Sequence, residues 1–339
     1  MTKNIRFGII GCSRIAESTT IPAIINSSNT ELSFIGSRSI EKAEKFASKF
    51  NCKNFGTYED VMESDLVDVV YISVPVGLHA KYCLESSEHG KHVLCEKSST
   101  VSLTEALKMV SSCKENHVRL MEGFMFRFHP QHSKVKELIS QKKLGDLFHF
   151  AGYYGFPPMP HDDIRFKQKL GGGILNDAGC YPICASRIVF NEEPKGILCN
   201  LDFDKKNQVD VKASIFLDYS NGKTACMATG YNLNFQSKYS IWGSEGHIQL
   251  QRAYNVPPTE NTTILFSNSE KQEMIKVSPY NHFQLMIESF SLELCKTNTL
   301  AFSPESDLIN QAIVMEAARI SNEENRYVKM DELISKNGK

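Results

Sequence analysis

From Ile5 to Met121 short apolar runs alternate with segments of helical period. The runs Ile5 to Ile10, Leu32 to Ile35, Val67 to Ile72, His92 to Cys95 and Val118 to Met121 are largely apolar throughout, as strands buried on both faces of a parallel sheet must be. Between them, Ile40 to Phe50 places Ala43, Phe46, Ala47 and Phe50 at helical spacing, and Thr104 to Asn116 places Ala106, Leu107, Val110 and Cys113 on one side. Strands alternating with helices predict a doubly wound α/β domain.

After Pro130 the pattern predicts a helix from about Ser133 to Gln141, and from Phe148 the texture changes to longer alternating segments. Phe148 to Gly155, Ile197 to Phe203, Val209 to Leu217, Thr224 to Gly230 and Tyr239 to Trp242 read as strands, and Ser220-Asn-Gly-Lys marks a hairpin turn. Gly171 to Phe190, Phe283 to Cys295 and Leu308 to Ser321 read as helices, so a large, mostly antiparallel open sheet backed by helices is expected. The expected domains are residues 1–123 and 124–339, with the last helix packing back on the first domain and the tail fraying from about Ser335. A chain of 339 residues exceeds what one core usually fills.

Composition narrows the function classes. With 41% hydrophobic and 23% charged residues and a net charge of -1, the chain carries no electrostatic footprint for nucleic acid or an anionic membrane. Met1-Thr-Lys-Asn-Ile-Arg lacks a signal peptide's apolar stretch, and no later run suits a membrane span, so a cytoplasmic protein is expected. Ten scattered cysteines without a CxxC pair read as reduced thiols. Cys180 and Cys184 share a helical spacing without further ligands nearby, and His129 with His132 is too sparse a pair, so no metal is expected.

The first strand runs into Gly8-Ile-Ile-Gly11-Cys12-Ser13-Arg14-Ile15-Ala16 with a helix behind it, the context of a dinucleotide-binding turn. Gly11 supplies the tight turn and Ala16 the close packing of helix on strand, while Ser13 stands where a glycine usually admits the pyrophosphate. The helix N-terminus would hold the phosphates through free N–H groups, which makes Gly11, Cys12, Ser13, Arg14 and Ile15 candidate cofactor contacts. The second strand ends in Ser37, Arg38 and Ser39, without the acid that reads the ribose of NAD. A guanidinium and two hydroxyls suit the 2′-phosphate of NADP, so NADP(H) is preferred over NAD(H); the alternative for Arg38 is a solvated surface charge.

Three further segments carry candidate chemistry. Ser73-Val-Pro75-Val-Gly-Leu-His79 reaches the carboxyl edge of the sheet, where ligands bind, with His79 equally readable as a helix-start residue packing on the loop. Glu96 and Lys97 follow a buried strand, and a lysine there orients a substrate hydroxyl or stabilises an alkoxide, unless it snorkels to solvent. Gly171 to Gly173 open a segment in which Asp177 and Tyr181 stand four apart, the spacing of one helical face. A carboxylate there can position substrate while the phenol moves a proton; the alternative is a first-turn aspartate and a buried tyrosine.

Together these motifs resemble the glucose-fructose oxidoreductase, inositol dehydrogenase and rhizopine-catabolism (Gfo/Idh/MocA) family over nearly the whole chain. The residues that carry the resemblance are Gly11 to Ala16, Pro75 to His79, Gly90 to Lys97, Glu122-Gly-Phe-Met-Phe-Arg-Phe-His-Pro130, Gly171 to Tyr181 and Trp242-Gly-Ser-Glu-Gly-His. The resemblance implies a Rossmann domain followed by an α/β domain whose open sheet forms a subunit interface, hence a homodimer or homotetramer. It also implies that Lys97 polarises the reacting oxygen, Tyr181 serves as general acid or base, and Asp177 orients a sugar, with Arg127, Arg165 and Gly173 on the substrate side; either arginine is also readable as a structural ion pair. Ser98 stands where the family usually has proline. The implied activity is NADP(H)-dependent reduction of a sugar or nucleotide-linked deoxysugar ketone, with xylose or dihydrodiol dehydrogenase as the alternative. A non-catalytic dinucleotide-binding sensor is the alternative of another class.

Overall fold

The computed structural model describes residues 4–160 and 162–337. Chain contacts divide it into two compact units, one formed by residues up to Met125 with Phe283–Ile309, the other by Phe126–His282 with the chain from Asn310 on.

The first unit is a six-stranded parallel sheet of β1 (Ile5–Ile10), β2 (Thr30–Gly36), β3 (Asn54–Gly56), β4 (Val69–Ile72), β5 (His92–Cys95) and β6 (Leu120–Glu122), in the order β3-β2-β1-β4-β5-β6. The order reverses at β1, the switch point where doubly wound sheets bind ligands. Helices α1 (Ile21–Asn26), α2 (Ile40–Lys49), α3 (Tyr58–Glu63), α4 (His79–Glu88) and α5 (Leu103–Glu115) supply the crossovers. Ala43, Phe46 and Ala47 are buried as the α2 pattern predicts. Strand β3 escapes the pattern because it is a three-residue Asn-Phe-Gly edge, paired with Phe34, Ile35 and Gly36 of β2. Residues preceding α1 form a π turn, Ala16–Thr20.

The second unit opens with α6 (Pro130–Ser140) and β7 (Leu147–Gly155), followed by α7 (Cys180–Phe190), β8 (Gly196–Phe203), β9 (Asp210–Asp218) and β10 (Thr224–Gly230). It continues with β11 (Gln236–Gly243), β12 (Gly246–Leu250), β13 (Thr262–Asn268) and β14 (Gln272–Val277). The chain then passes through α8 (His282–Leu294), most of which belongs to the first unit. It reaches α9 (Pro304–Glu324), β15 (Val328–Lys329) and α10 (Asp331–Asn337), so helix extends past Ser335, where fraying was expected. The nine strands form one sheet, ordered β14-β13-β12-β11-β7-β10-β9-β8-β15. Every pairing is antiparallel except β10 with β7, which is parallel. A parallel pair needs a crossover between its strands, and α7 with the β8–β9 hairpin provides it, so the sheet is mostly antiparallel, as expected, with this one parallel pair.

One sheet face is buried through Phe150, Ile215, Met227, Ile241 and Ile248, and α7, buried on nearly every residue, packs against it. Gln311 on α9 donates to the Cys180 carbonyl and accepts from Arg187, pinning α9 along α7. In the first unit Arg119 holds α8 and the start of α9 through Glu293 at 2.6 Å and Glu305 at 2.7 Å. The helix expected over Gly171 to Phe190 begins only at a π turn, Leu175–Gly179. Gly173, at φ +122°, lies outside right-handed helical space and ends the possibility of an earlier start.

Candidate functional site

The cofactor-side candidates converge on the carboxyl edge of the parallel sheet. Gly11 holds φ +106°, and a Cβ there would stand 3.2 Å from both the Ser73 backbone and its hydroxyl. Ser13 takes the place of the usual glycine by acting as a helix cap: its hydroxyl accepts from the Ala16 N–H at 3.1 Å and donates to the Ser73 hydroxyl at 3.0 Å. Ser73 passes the chain on, donating to the Gly11 carbonyl at 2.8 Å. The turn is thus closed by side chains the chain itself supplies, with Cys12 buried, its thiol pushed up by burial, Ile15 half-buried and Arg14 exposed.

At the end of β2, Ser37 is buried and accepts from the Ser39 N–H, while Ser39 caps α2 and donates to Glu41. Arg38 is exposed beside a groove of about 250 Å³ lined by Ser37, Thr57, Tyr58, Lys81 and Tyr82, with Glu59 and Glu85 at its rim. Burial pushes the Tyr58 phenol up, and the Arg38 charge acts against that rise, which places the guanidinium within electrostatic reach of the ring. No carboxylate closes β2, and a nicotinamide dinucleotide bearing a 2′-phosphate fits this edge: a turn with glycine at its first position for the pyrophosphate and a guanidinium at the end of β2.

Past β4, Pro75 leads into a short turn and α4 begins at His79. His79 is 1% exposed, with Nδ1 2.9 Å from the Ser98 carbonyl and Nε2 2.7 Å from the Val74 carbonyl. Burial pushes its pKa down to about 4 although both carbonyls favour the charged ring. A neutral imidazole donates to one of them at a time. His79 therefore ties the turn after β4 to the turn after β5. On that second turn Lys97 is half-buried, the Lys97–Ser98 peptide bond is cis, and Glu122 accepts from the Ser99 N–H at 2.8 Å. Glu96 is buried, its carboxyl raised by burial, and it accepts from the Tyr71 phenol at 2.6 Å and the Lys97 N–H at 3.3 Å.

The substrate-side candidates gather around the start of α7 in the second unit. The Asp177 carboxylate accepts from Arg165 Nε at 2.7 Å and from the Tyr231 hydroxyl at 3.3 Å. Arg165 also meets Asp163 at 3.2 Å, and Asp177 is the main cause of its raised pKa. Arg165 is thus engaged in an ion pair with both aspartates. Tyr181 is 4% exposed, nested among Tyr154, Phe126 and Tyr254 at ring separations of 5.1, 5.7 and 5.8 Å. Arg127 is half-buried on the short turn Met125–Phe128, next to Phe126 in the chain.

The glycines before Asp177 admit protein. A Cβ on Gly172 would stand 2.5 Å from the Arg165 carbonyl oxygen, and one on Gly173 would fall on the Asp210 carboxylate. Asp210, half-buried on β9 with its carboxyl raised by desolvation, accepts from the Leu175 N–H at 2.6 Å and so caps the helix start. Sequence reading missed Tyr71, Tyr154, Asp210, Tyr231 and Tyr254, since each lies far along the chain from the candidate it touches. Among the described residues no group of three or more metal-ligating side chains forms, and no helix is long and apolar enough to cross a membrane.

Comparison with known proteins follows the same division. The model of the GFO/IDH/MocA oxidoreductase family, NAD-binding Rossmann fold, matches residues 5–124, and the model of that family's C-terminal domain matches 132–249. A dTDP-3,4-didehydro-2,6-dideoxy-α-D-glucose 3-reductase of Saccharopolyspora spinosa is 34% identical over 261 residues, 77% of this chain and 78% of the relative. A D-xylose 1-dehydrogenase (NADP+) of Haloferax volcanii is 31% identical, covering 84% of this chain and 87% of its own. A 3-ketoreductase of Actinomadura kijaniata, solved with NADP and TDP-benzene, superposes with a TM-score of 0.90 at 29% identity, over 94% of this chain and 98% of that one.

Proposed function

The chain belongs to the Gfo/Idh/MocA oxidoreductase family, and we propose that it is an NADP(H)-dependent reductase of the 3-keto group of a nucleotide-linked deoxysugar. The observation that carries the reading is one sheet edge, where the Gly11 turn, Arg38 and Lys97 follow the ends of β1, β2 and β5. Gly11, Cys12, Ser13, Arg14 and Ile15 hold the pyrophosphate, Ser37, Arg38 and Ser39 the 2′-phosphate, and Ser73, Pro75, His79 and Glu96 shape the nicotinamide end.

When bound, the reduced cofactor supplies the hydride. Lys97 donates a hydrogen bond to the substrate oxygen as negative charge develops on it. Tyr181 gives that oxygen its proton. Asp177, fixed by Arg165 and Tyr231, accepts from sugar hydroxyls, and Arg127 and Gly173 lie on the substrate side. The first unit is read as the dinucleotide-binding domain and the second as the substrate domain. Retention of Lys97, Asp177 and Tyr181 together disfavours a sensor without turnover. A xylose or dihydrodiol dehydrogenase is the second reading, favoured by the similarity to the Haloferax enzyme.

A cytoplasmic homodimer or homotetramer completes the proposal. The face of the nine-stranded sheet opposite α7 exposes Tyr153, Leu198 and Trp242 at 42, 47 and 57%, more apolar surface than a lone sheet face usually leaves in water. Sedimentation equilibrium should return a multiple of the chain mass, and a single-chain mass at micromolar concentration would remove the oligomer from the proposal.

The cofactor reading is tested by fluorescence titration with NADPH and NADH on the wild type and Arg38→Ala. Losing a charge-assisted contact should weaken NADPH about 10- to 100-fold and leave NADH unchanged. Equal affinity for both cofactors, indifferent to the substitution, would refute the 2′-phosphate role.

A further inference from the structure

A chain of buried hydroxyls runs beneath Lys97. Tyr71, in the middle strand β4, has no solvent exposure, and its phenol donates to Glu96 Oε1 at 2.6 Å. The Thr20 hydroxyl, equally buried, donates in turn to the Tyr71 oxygen at 2.9 Å. The other Glu96 oxygen accepts from the Lys97 N–H at 3.3 Å. Thr20 ends the π turn that follows the Gly11 to Ala16 loop. One line of hydrogen bonds therefore joins the helix behind the cofactor turn to the residue that carries the catalytic ammonium.

Packing alone does not account for the hydroxyl. A phenylalanine would fill the same space between β1 and β5 without burying a polar atom, whereas a phenol in a dry interior is costly unless it is paired. A short O–H···O bond to a carboxylate is among the stronger pairings available there. The ionisable groups facing the Glu96 carboxyl are Tyr71, Lys97 and Cys95. Of these, Lys97 supplies charge and Tyr71 a fixed donor.

We propose that Tyr71 is a positioning residue for hydride transfer: with Thr20 it anchors the Glu96 carboxylate in one orientation, and Glu96 sets the backbone from which Lys97 reaches the substrate oxygen. The proposal rests on the reading of Lys97 as the group that polarises that oxygen. It assigns the hydroxyl of Tyr71 no contact with substrate or cofactor.

The test begins on cofactor-free protein labelled at glutamate carboxyl carbons, with the Glu96 resonance assigned by Glu96→Gln. In Tyr71→Phe the Glu96 midpoint should rise by about one pH unit, because the ionised form loses its strongest donor. Thr20→Val should move it in the same direction by less. Turnover of dTDP-3,4-didehydro-2,6-dideoxy-α-D-glucose with NADPH should fall about tenfold in Tyr71→Phe, with NADPH affinity within about twofold of the wild type. An unmoved Glu96 midpoint in Tyr71→Phe overturns the relay, whatever Lys97→Met does. Full turnover in Lys97→Met overturns the reading of Lys97, and the carboxyl titration then still decides the relay.

Discussion

The cofactor edge of the first unit and the helix start of the second are both built around a glycine at positive φ, Gly11 and Gly173, and they are held by different means. At the first, the neighbours are small: Ser13, Ser73 and backbone carbonyls close the turn over a few residues. At the second, the glycine makes room for a half-buried carboxylate from a distant strand, and Asp177 is held by Arg165 and Tyr231. A site that must grip a ligand's phosphates uses backbone and hydroxyls, because those groups donate without bulk. A site that must orient a carboxylate uses side chains that cannot drift.

The contrast can be broken most severely at Gly173. Alanine there meets both a disfavoured φ and the Asp210 carboxylate that caps Leu175, so unfolding free energy should drop by about 3 kcal/mol, strain and lost cap together, read by urea denaturation. Gly11→Ala should cost less, about 1–2 kcal/mol, because φ is strained but the nearest atoms, at 3.2 Å, need shift only by a few tenths of an ångström, yet it should weaken NADPH binding about tenfold or more. Equal stability losses, or a Gly173→Ala protein as stable as the wild type, would erase the distinction.

A further effect comes from acid. Burial pushes His129 to about 4 and His132 and His282 to about 3, all three in the second unit; in the first it pushes His79 to about 4 and lowers His92 as well. Each folded-state pKa lies below the unfolded value, so below about pH 6.5 the unfolded chain binds more protons. Stability is therefore complete above pH 6.5 and is lost as pH falls toward the folded values, by up to about 1.4 kcal/mol per pH unit for each such histidine. Trp242, the single tryptophan, sits in the second unit and reports its urea midpoint, which should fall between pH 7 and 5.5. A flat midpoint over that range would show that these rings are not held neutral by burial.

Much of the first unit was legible because its logic is local. β1 and β5 occupy the expected residues, and the Gly11 turn, Arg38 and Lys97 follow strand ends that the apolar runs already marked. The fold class, the mostly antiparallel second sheet and the hairpin at Ser220 were legible for the same reason. Strand β3 was too short to make a pattern, and β12 to β14, along with the parallel placing of β10 beside β7, depended on pairings between distant segments.

The chain's own order of residues determined where strands end, which turn carries a glycine, that an arginine and a lysine follow strand ends, and that an aspartate and a tyrosine stand four apart at a helix start, since each is a matter of period, spacing and side-chain type. Tertiary structure alone decided their company: Tyr71 under Glu96, His79 between two carbonyls, Tyr231 on Asp177, and the aromatic nest of Tyr181. Those partners lie in other strands and loops, and sequence spacing carries no information about contacts that only the packing of separate elements creates.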